Sequence, residues 1–320
     1  MLIPVLLFFV GLVLLVKGGD WFVDGATGIA QRLHVPELLI GATVVSIGTT
    51  LPEVMVSATS AVSGHGEIAY GNAIGSIICN TALIAAITAA VRPKVIDRKA
   101  LGTPVCFFFA AALVYTLVAY TLGFFYRWVG FVMLVLFAVY MVVNVYQAKN
   151  GTVEAEEVES HGESSAMKDA VLLVVGAALI ALGAKLLVDN GTLIAQALGV
   201  PESVIALTFV ALGTSLPELV TAITSLVKGH DALSLGNVIG ANFFNLVLVS
   251  GVSVTLSPFR VPASKLVAGM NASLLVDIPM MLFVMAFLTI PALIRGKLSR
   301  FQGITLLAIY AAFCIFQFVS

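Results

Sequence analysis

Charge is what this sequence has least of. Only 10% of its 320 residues are Asp, Glu, Lys or Arg, while 60% are hydrophobic. A soluble domain carries about 25% charged residues, so a water-soluble globule is excluded. What remains is an integral membrane protein made of helices, which satisfy their own backbone hydrogen bonds in lipid. A net charge of −1 gives nucleic acid nothing to bind. Cysteine is scarce too: Cys79, Cys106 and Cys314 lie in separate apolar segments without C-x-x-C spacing and read as small buried hydrophobes. Met1 to Val16 lacks a basic n-region and an A-x-A site. It reads as a first transmembrane helix, not a cleaved signal.

Apolar runs bounded by charge, Gly or Pro predict ten spans. In the first half they cover 2–30, 38–63, 68–90, 102–122 and 126–147; in the second, 168–195, 203–227, 233–256, 266–291 and 301–319. Spans one and six are long, and Gly18, Gly19 and Gly183 are expected to tilt or bend them. The halves, 1–148 and 168–320, are joined by an acidic stretch, 149–167, which reads as a solvated cytoplasmic linker. With the N-terminus outside, the inner loops hold Arg32, Arg92, Lys94, Arg98, Lys99, Lys149, Lys168, Lys228, Arg295, Lys297 and Arg300. The outer loops hold only Arg127, Arg260 and Lys265. That bias predicts both termini outside.

The sequence also repeats itself. Shifted by 165 without a gap, residues 18–80 match 183–245 at about 29 of 63 positions. Gly48-Thr49-Thr50-Leu51-Pro52-Glu53 returns as Gly213-Thr214-Ser215-Leu216-Pro217-Glu218, and Gly71-Asn72-Ala73-Ile74-Gly75 as Gly236-Asn237-Val238-Ile239-Gly240. Five spans per half is an odd number, so the second copy is expected to enter the membrane upside down. The predicted fold is therefore all-α, with ten transmembrane helices as two inverted-topology five-helix repeats.

The repeated segments carry chemistry that apolar spans do not need. A carboxylate at membrane depth costs at least about 2.5–3.5 kcal/mol, so it needs a partner or a purpose. Residues 46, 49, 50, 53 and 57 follow helical spacing and share a face with Glu53; Ala211 and Ala222 stand where Ser46 and Ser57 would recur. Pro52 and Pro217 lack an N–H, which is expected to free the carbonyls near Gly48 and Gly213. Ca²⁺ takes 6–8 hard oxygen ligands, and two carboxylates balance its charge. The same oxygens could hold Na⁺. No Cys or His lies in these motifs, so nothing favours zinc or copper. Asn80 and Asn245 read as site lining, whereas for Asn72 and Asn237, nearer the helix starts, capping competes equally. The Gly71/Gly75 and Gly236/Gly240 spacings read as close helix packing. Asp24 and Asp189 suggest interfacial pairing, Asp277 a helix-packing role, and His65 and His230 surface loops.

Paired G-T-[ST]-L-P-E segments, each followed by G-N-x-I-G-[SA]-x-x-x-N, resemble the repeats of the calcium/cation antiporter superfamily, most closely its prokaryotic sodium/calcium exchanger branch. The resemblance implies exchange of Ca²⁺ for Na⁺ by alternating access, with no cofactor. The repeat cores would be about 38–90 and 203–256. It carries over to Thr49, Thr50, Glu53, Ser76 and Asn80 in the first half and to Thr214, Ser215, Glu218 and Asn245 in the second, with backbone carbonyls near Ser46 and Ala211. Some family members carry Asp where Asn245 stands and Ser where Ala241 stands. Those departures leave Na⁺ and H⁺ both open as the driving ion. Both glutamates come from one chain, so a monomer would suffice for the site, in a prokaryotic plasma membrane. An uncoupled channel would need a pore-lining ring from several chains, and an intramembrane hydrolase a nucleophile that nothing in the sequence supplies.

Overall fold

Nine helices long and apolar enough to cross a bilayer are present among the described residues of the computed structural model, which are 2–149, 165–198, 213–263, 266–267 and 269–319. With one shorter helix they are numbered α1 (Leu2–Arg32), α2 (Glu37–Val62), α3 (Gly66–Val91), α4 (Arg98–Leu122), α5 (Arg127–Lys149), α6 (Ala166–Ala197), α7 (Leu216–Lys228), α8 (Asp231–Leu256), α9 (Ser273–Arg295) and α10 (Arg300–Val319). These match the predicted spans closely, save two. The first part of span seven, with Thr208 and Ala211, lies outside the described residues, as do 150–164 of the linker. Span nine starts late. Leu266–Val267 instead pairs antiparallel with Met270–Asn271 around Gly269, at φ +79°, and the Asn271 side chain then accepts from the Ser273 N–H at 2.8 Å. An apolar hairpin ending in a local side-chain bond reads, by hydropathy alone, as more helix.

Burial sorts the helices. The apolar windows of α8 and α3 are 83% and 72% buried, that of α2 is 50%, and those of α1, α6 and α10 are 22% or less. A bundle in lipid has no reason to hide leucine, so the inner helices are those with polar side chains to cover. α1 and α6 lie against each other along most of their length. Gly11 meets the Gly183 carbonyl, Gly18 meets that of Gly176, and Gly25 meets that of Asp169. Positions count up on one helix as they count down on the other, so the pair is antiparallel. Both are continuous helices. Of the glycines expected to bend them, Gly18 and Gly183 instead remove side chains from the contact, where a Cβ at Gly18 would stand 2.9 Å from the Gly176 oxygen, while Gly19 faces Val220 and Thr224 of α7.

Four π-helical turns interrupt the α ladders among the described residues: Gly41–Val45, Asn80–Ala85, Asn245–Val249 and Ser273–Asp277. Each widening displaces carbonyls that must find other donors. In α2 the Ser46 hydroxyl donates to the Gly41 carbonyl at 2.7 Å, and the Tyr140 hydroxyl of α5 donates to that of Ala42 at 2.9 Å.

Charged side chains gather at helix ends. Lys228 pairs with Asp24 at 2.7 Å and Arg32 with Asp169 at 3.1 Å, while Asp189 pairs with Lys185 at 3.3 Å. Asp277, at the end of its π turn, accepts from Gln317 at 3.1 Å. His65 is exposed, as the sequence suggested, but His230 is not a free surface residue: its Nδ1 lies 2.7 Å from buried Glu37. Nothing local announces that contact, because the partner is 193 residues away.

The hydrogen bond to Glu37 raises the His230 pKa above its ordinary 6.5; burial opposes the rise and the Glu37 charge adds to it. The folded protein therefore binds this proton more tightly than the unfolded chain. The contribution is complete below pH 6.5 and is lost as pH rises through the folded value. Detergent-solubilised protein is expected to lose about 1 kcal/mol of stability over that rise. Glu37→Gln should flatten the slope in thermal melts recorded across the range, and an unchanged slope would contradict the assignment.

Candidate cation-binding site

The two repeated segments meet in the interior. Glu53 of α2 and Glu218 of α7 are fully buried, and their charges act on one another. All four carboxylate oxygens lack a hydrogen-bond partner among the described residues. Thr49 and Thr50 face Glu218 without reaching hydrogen-bond geometry to it. Around the pair, the Thr50 and Ser215 hydroxyls and the side-chain amides of Asn80 and Asn245 are buried and equally without partners. Buried polar groups are nearly always bonded, and an unpaired buried charge carries a penalty of several kcal/mol. Together they form a set of oxygen donors that a bound cation would satisfy. Oxygen donors with two negative charges suit a hard divalent cation, since Ca²⁺ takes 6–8 oxygens.

Local structure explains the placement. Gly240 of α8 lies against Ala42 and Ser46, and Gly236 against the Leu38 carbonyl, so α8 seats directly on the first turns of α2. Here the G-x-x-x-G reading holds. Gly71 and Gly75 do not follow it: a Cβ at either would meet nothing within 4 Å, and both border a cavity of about 410 Å³ with Tyr70 and Ser273. The same spacing packs in one half and lines a cavity in the other, because spacing does not say what stands opposite. Asn80 and Asn245 each open a π turn, which re-aims the side chain without ending the helix.

The prolines also act unequally. Pro52 stands inside α2, which runs on to Val62, so its missing N–H leaves the Gly48 carbonyl without its helical donor. Pro217 lies in the first turn of α7, where that absence is harmless. The symmetric break expected at both prolines is thus a kink-prone position in one half and a helix start in the other. A cavity of about 800 Å³ runs beside both, lined by Gly48, Leu51, Pro52, Gly213, Thr214 and Pro217 with apolar residues of α6.

Of the remaining candidates, Ser76 is buried one turn before Asn80. Ser46 is buried, with its hydroxyl 2.7 Å from the Gly41 carbonyl and 2.9 Å from that of Asn237. Thr49 and Thr214 lie in the same cluster and bond to Asn237 and Asn72. Ala211 is outside the described residues. Capping of Asn72 and Asn237 is corrected here: both sit more than a turn inside their helices, and neither helix has a side-chain cap bond. Sequence reasoning passed over Asn242, whose amide donates to Thr81 at 2.7 Å and whose oxygen has no partner among the described residues. An asparagine within Gly-Ala-Asn-Phe-Phe was the available signal.

A cation bound here should stabilise the fold, by about 2.7 kcal/mol at a hundred times its dissociation constant. Melts of purified protein with Ca²⁺ against chelator are expected to show that shift. In Glu53→Gln and Glu218→Gln the shift should vanish, while the chelated protein becomes more stable than wild type because a buried charge is gone. An undiminished shift in both variants would place the cation elsewhere.

Comparison with known proteins agrees with the fold. The profile of the sodium/calcium exchanger protein family matches residues 3–146 and 168–319, leaving out the linker. The putative antiporter CaxA of Alkalimonas amylolytica is 33% identical over 327 residues, covering 100% of this chain and 99% of its own. The sodium/calcium exchanger MaX1 of Methanosarcina acetivorans is 31% identical over 350 residues, with 98% of each chain covered. Among solved structures, the sodium-calcium exchanger NCX_Mj soaked with Na⁺ and Sr²⁺ superposes with a TM-score of 0.80 at 33% identity, over 97% of both chains. This multi-pass membrane protein belongs to the sodium/calcium exchanger protein family.

Proposed function

We propose that this chain exchanges Ca²⁺ for Na⁺ across the membrane by alternating access to a single site between its two halves. The observation that carries the reading is the fully buried pair Glu53 and Glu218, which among the described residues have no hydrogen-bond partner, as is true of the Thr50 and Ser215 hydroxyls and the Asn80 and Asn245 amides. In this account Ca²⁺ lies between the two glutamates. Thr49, Thr50, Ser76 and Asn80, then Thr214, Ser215 and Asn245, and the carbonyls near Ser46 and Ala211, complete its shell and the sites of competing Na⁺. MaX1 and NCX_Mj are named for that exchange, which supports the choice of ions.

The halves act as inverted repeats. Antiparallel packing of α1 on α6 supports this, and so do crossed hydrogen bonds between matching residues, Thr49 to Asn237 and Thr214 to Asn72. With the site empty, two carboxylates face each other without compensation, which penalises any state that buries them further. Cations neutralise the pair and let the halves rearrange, and the direction follows from which state each ion binds better. α1 and α6, sealed to one another by glycine contacts, are the elements that would slide as a unit. The loop-charge bias puts both termini outside a prokaryotic plasma membrane, and both carboxylates of the site lie in one chain.

Uptake of ⁴⁵Ca²⁺ into Na⁺-loaded proteoliposomes, with external Na⁺ removed and pH clamped, tests the proposal. Uptake should require the Na⁺ gradient and fall to background in Glu53→Gln and Glu218→Gln. Uptake that ignores Na⁺ but follows a pH gradient would replace Na⁺ by H⁺ as the driving ion. Absence of coupled uptake under either gradient would overturn Ca²⁺ exchange.

A further inference from the structure

Asn72 and Asn237 occupy matching places in the two halves, and each reaches across to the opposite one. The Thr214 hydroxyl donates to Asn72 Oδ1 at 3.2 Å, and the Thr49 hydroxyl donates to Asn237 Oδ1 at 3.1 Å. Thr49 and Thr214 are themselves counterparts under the 165-residue shift. The orientation of Asn72 is fixed by its surroundings. Its Nδ2 lies 2.8 Å from Ser57 Oγ and 3.3 Å from the Glu53 carbonyl, which can only accept, so the oxygen must face Thr214.

A hydroxyl has one hydrogen and two lone pairs. To ligate a cation it must aim a lone pair inward and place its hydrogen elsewhere. A threonine at a site with two carboxylates has an easy alternative, which is to donate to a glutamate and so compete with the cation. An asparagine oxygen held behind the threonine removes that alternative. We infer that Asn72 and Asn237 are positioning residues, each fixing from the opposite half the threonine hydroxyl, Thr214 or Thr49, with its lone pairs toward the cation. The inference rests on the exchange proposal for the site and adds residues that act through the ligands. Each half then completes the ligand geometry of the other.

The two asparagines are not held alike. Asn72 is anchored on its amide side by Ser57, but Ala222 stands at the matching place in the second half, and Asn237 Nδ2 has no partner among the described residues. Asn237 Oδ1 also lies 3.3 Å from Ser46 Oγ, whose one hydrogen goes to the Gly41 carbonyl, so Thr49 is the donor on its oxygen side. Ser46 and Ser57 are the two hydroxyls of this face that the second half lacks.

Double-mutant cycles test the crossed pairing through the apparent affinity for Na⁺ and Ca²⁺ in exchange, and through the melting shift that Ca²⁺ or Na⁺ produces in detergent. Asn237→Ala is expected to weaken affinity about tenfold, as Thr49→Ala does, with maximal rate little changed. Combining those two should be no worse than Thr49→Ala alone. Asn237→Ala with Thr214→Ala should multiply to about a hundredfold loss. Asn72 should show the mirrored pattern, coupled to Thr214 and independent of Thr49. Effects that multiply equally in matched and unmatched pairs would overturn the inference and leave the asparagines as packing residues. If an alanine variant does not fold, leucine, close to asparagine in volume, serves in the same cycle. Wild-type protein that fails to exchange but still shifts with either ion would sink the transport reading alone, with the cycle then read from the melts. No response to either ion would overturn both.

Discussion

Two buried carboxylates act on one another in the interior of this protein, and among the described residues no basic side chain pairs with either. Nearly everything else in the fold can be understood as what is needed to keep Glu53 and Glu218 there. Desolvating two acids penalises the fold by several kcal/mol each, and a protein whose net stability is of that order does not retain such a pair idly. Among the described residues the Thr50 and Ser215 hydroxyls and the Asn80 and Asn245 amides also lack partners, so the deficit is shared. In the proposed site a bound cation would answer all of them together.

The architecture around the pair is built for precise backbone placement. α8 carries glycines where it crosses α2, so its asparagines come within reach of the Thr49 turn. π turns begin at both Asn80 and Asn245 and leave the helices continuous while shifting their register. Carbonyls displaced by the α2 widening are taken up by Ser46 and Tyr140. Outside this frame, α1 and α6 form a separate pair joined through glycine, with little of their apolar surface buried.

The site was legible because charge in an apolar run is costly, and a cost repeated 165 residues later cannot be chance. Helix limits were legible for the same hydropathic reason, except at span nine, where an apolar hairpin imitates helix. What the sequence hid is what depends on the opposite surface. Gly18 and Gly183 read as hinges and prove to be contact points, while Gly71 and Gly236 share a motif and have unlike neighbours. Asn72 and Asn237 could have capped helix ends until their partners in the other half were seen. His230 and Glu37 pair across a gap no periodicity spans. The π turns left no mark in composition; their carbonyls are taken up by hydroxyls such as Ser46, Ser250 and, from another helix, Tyr140.

The most direct test of the central claim is a diffraction experiment on crystals soaked with Sr²⁺, reading the anomalous signal. The account predicts one dominant peak between the Glu53 and Glu218 carboxylates, within reach of the Thr50, Ser215, Asn80 and Asn245 oxygens. A peak elsewhere, or carboxylates found bonded to protein donors with no ion between them, would contradict it.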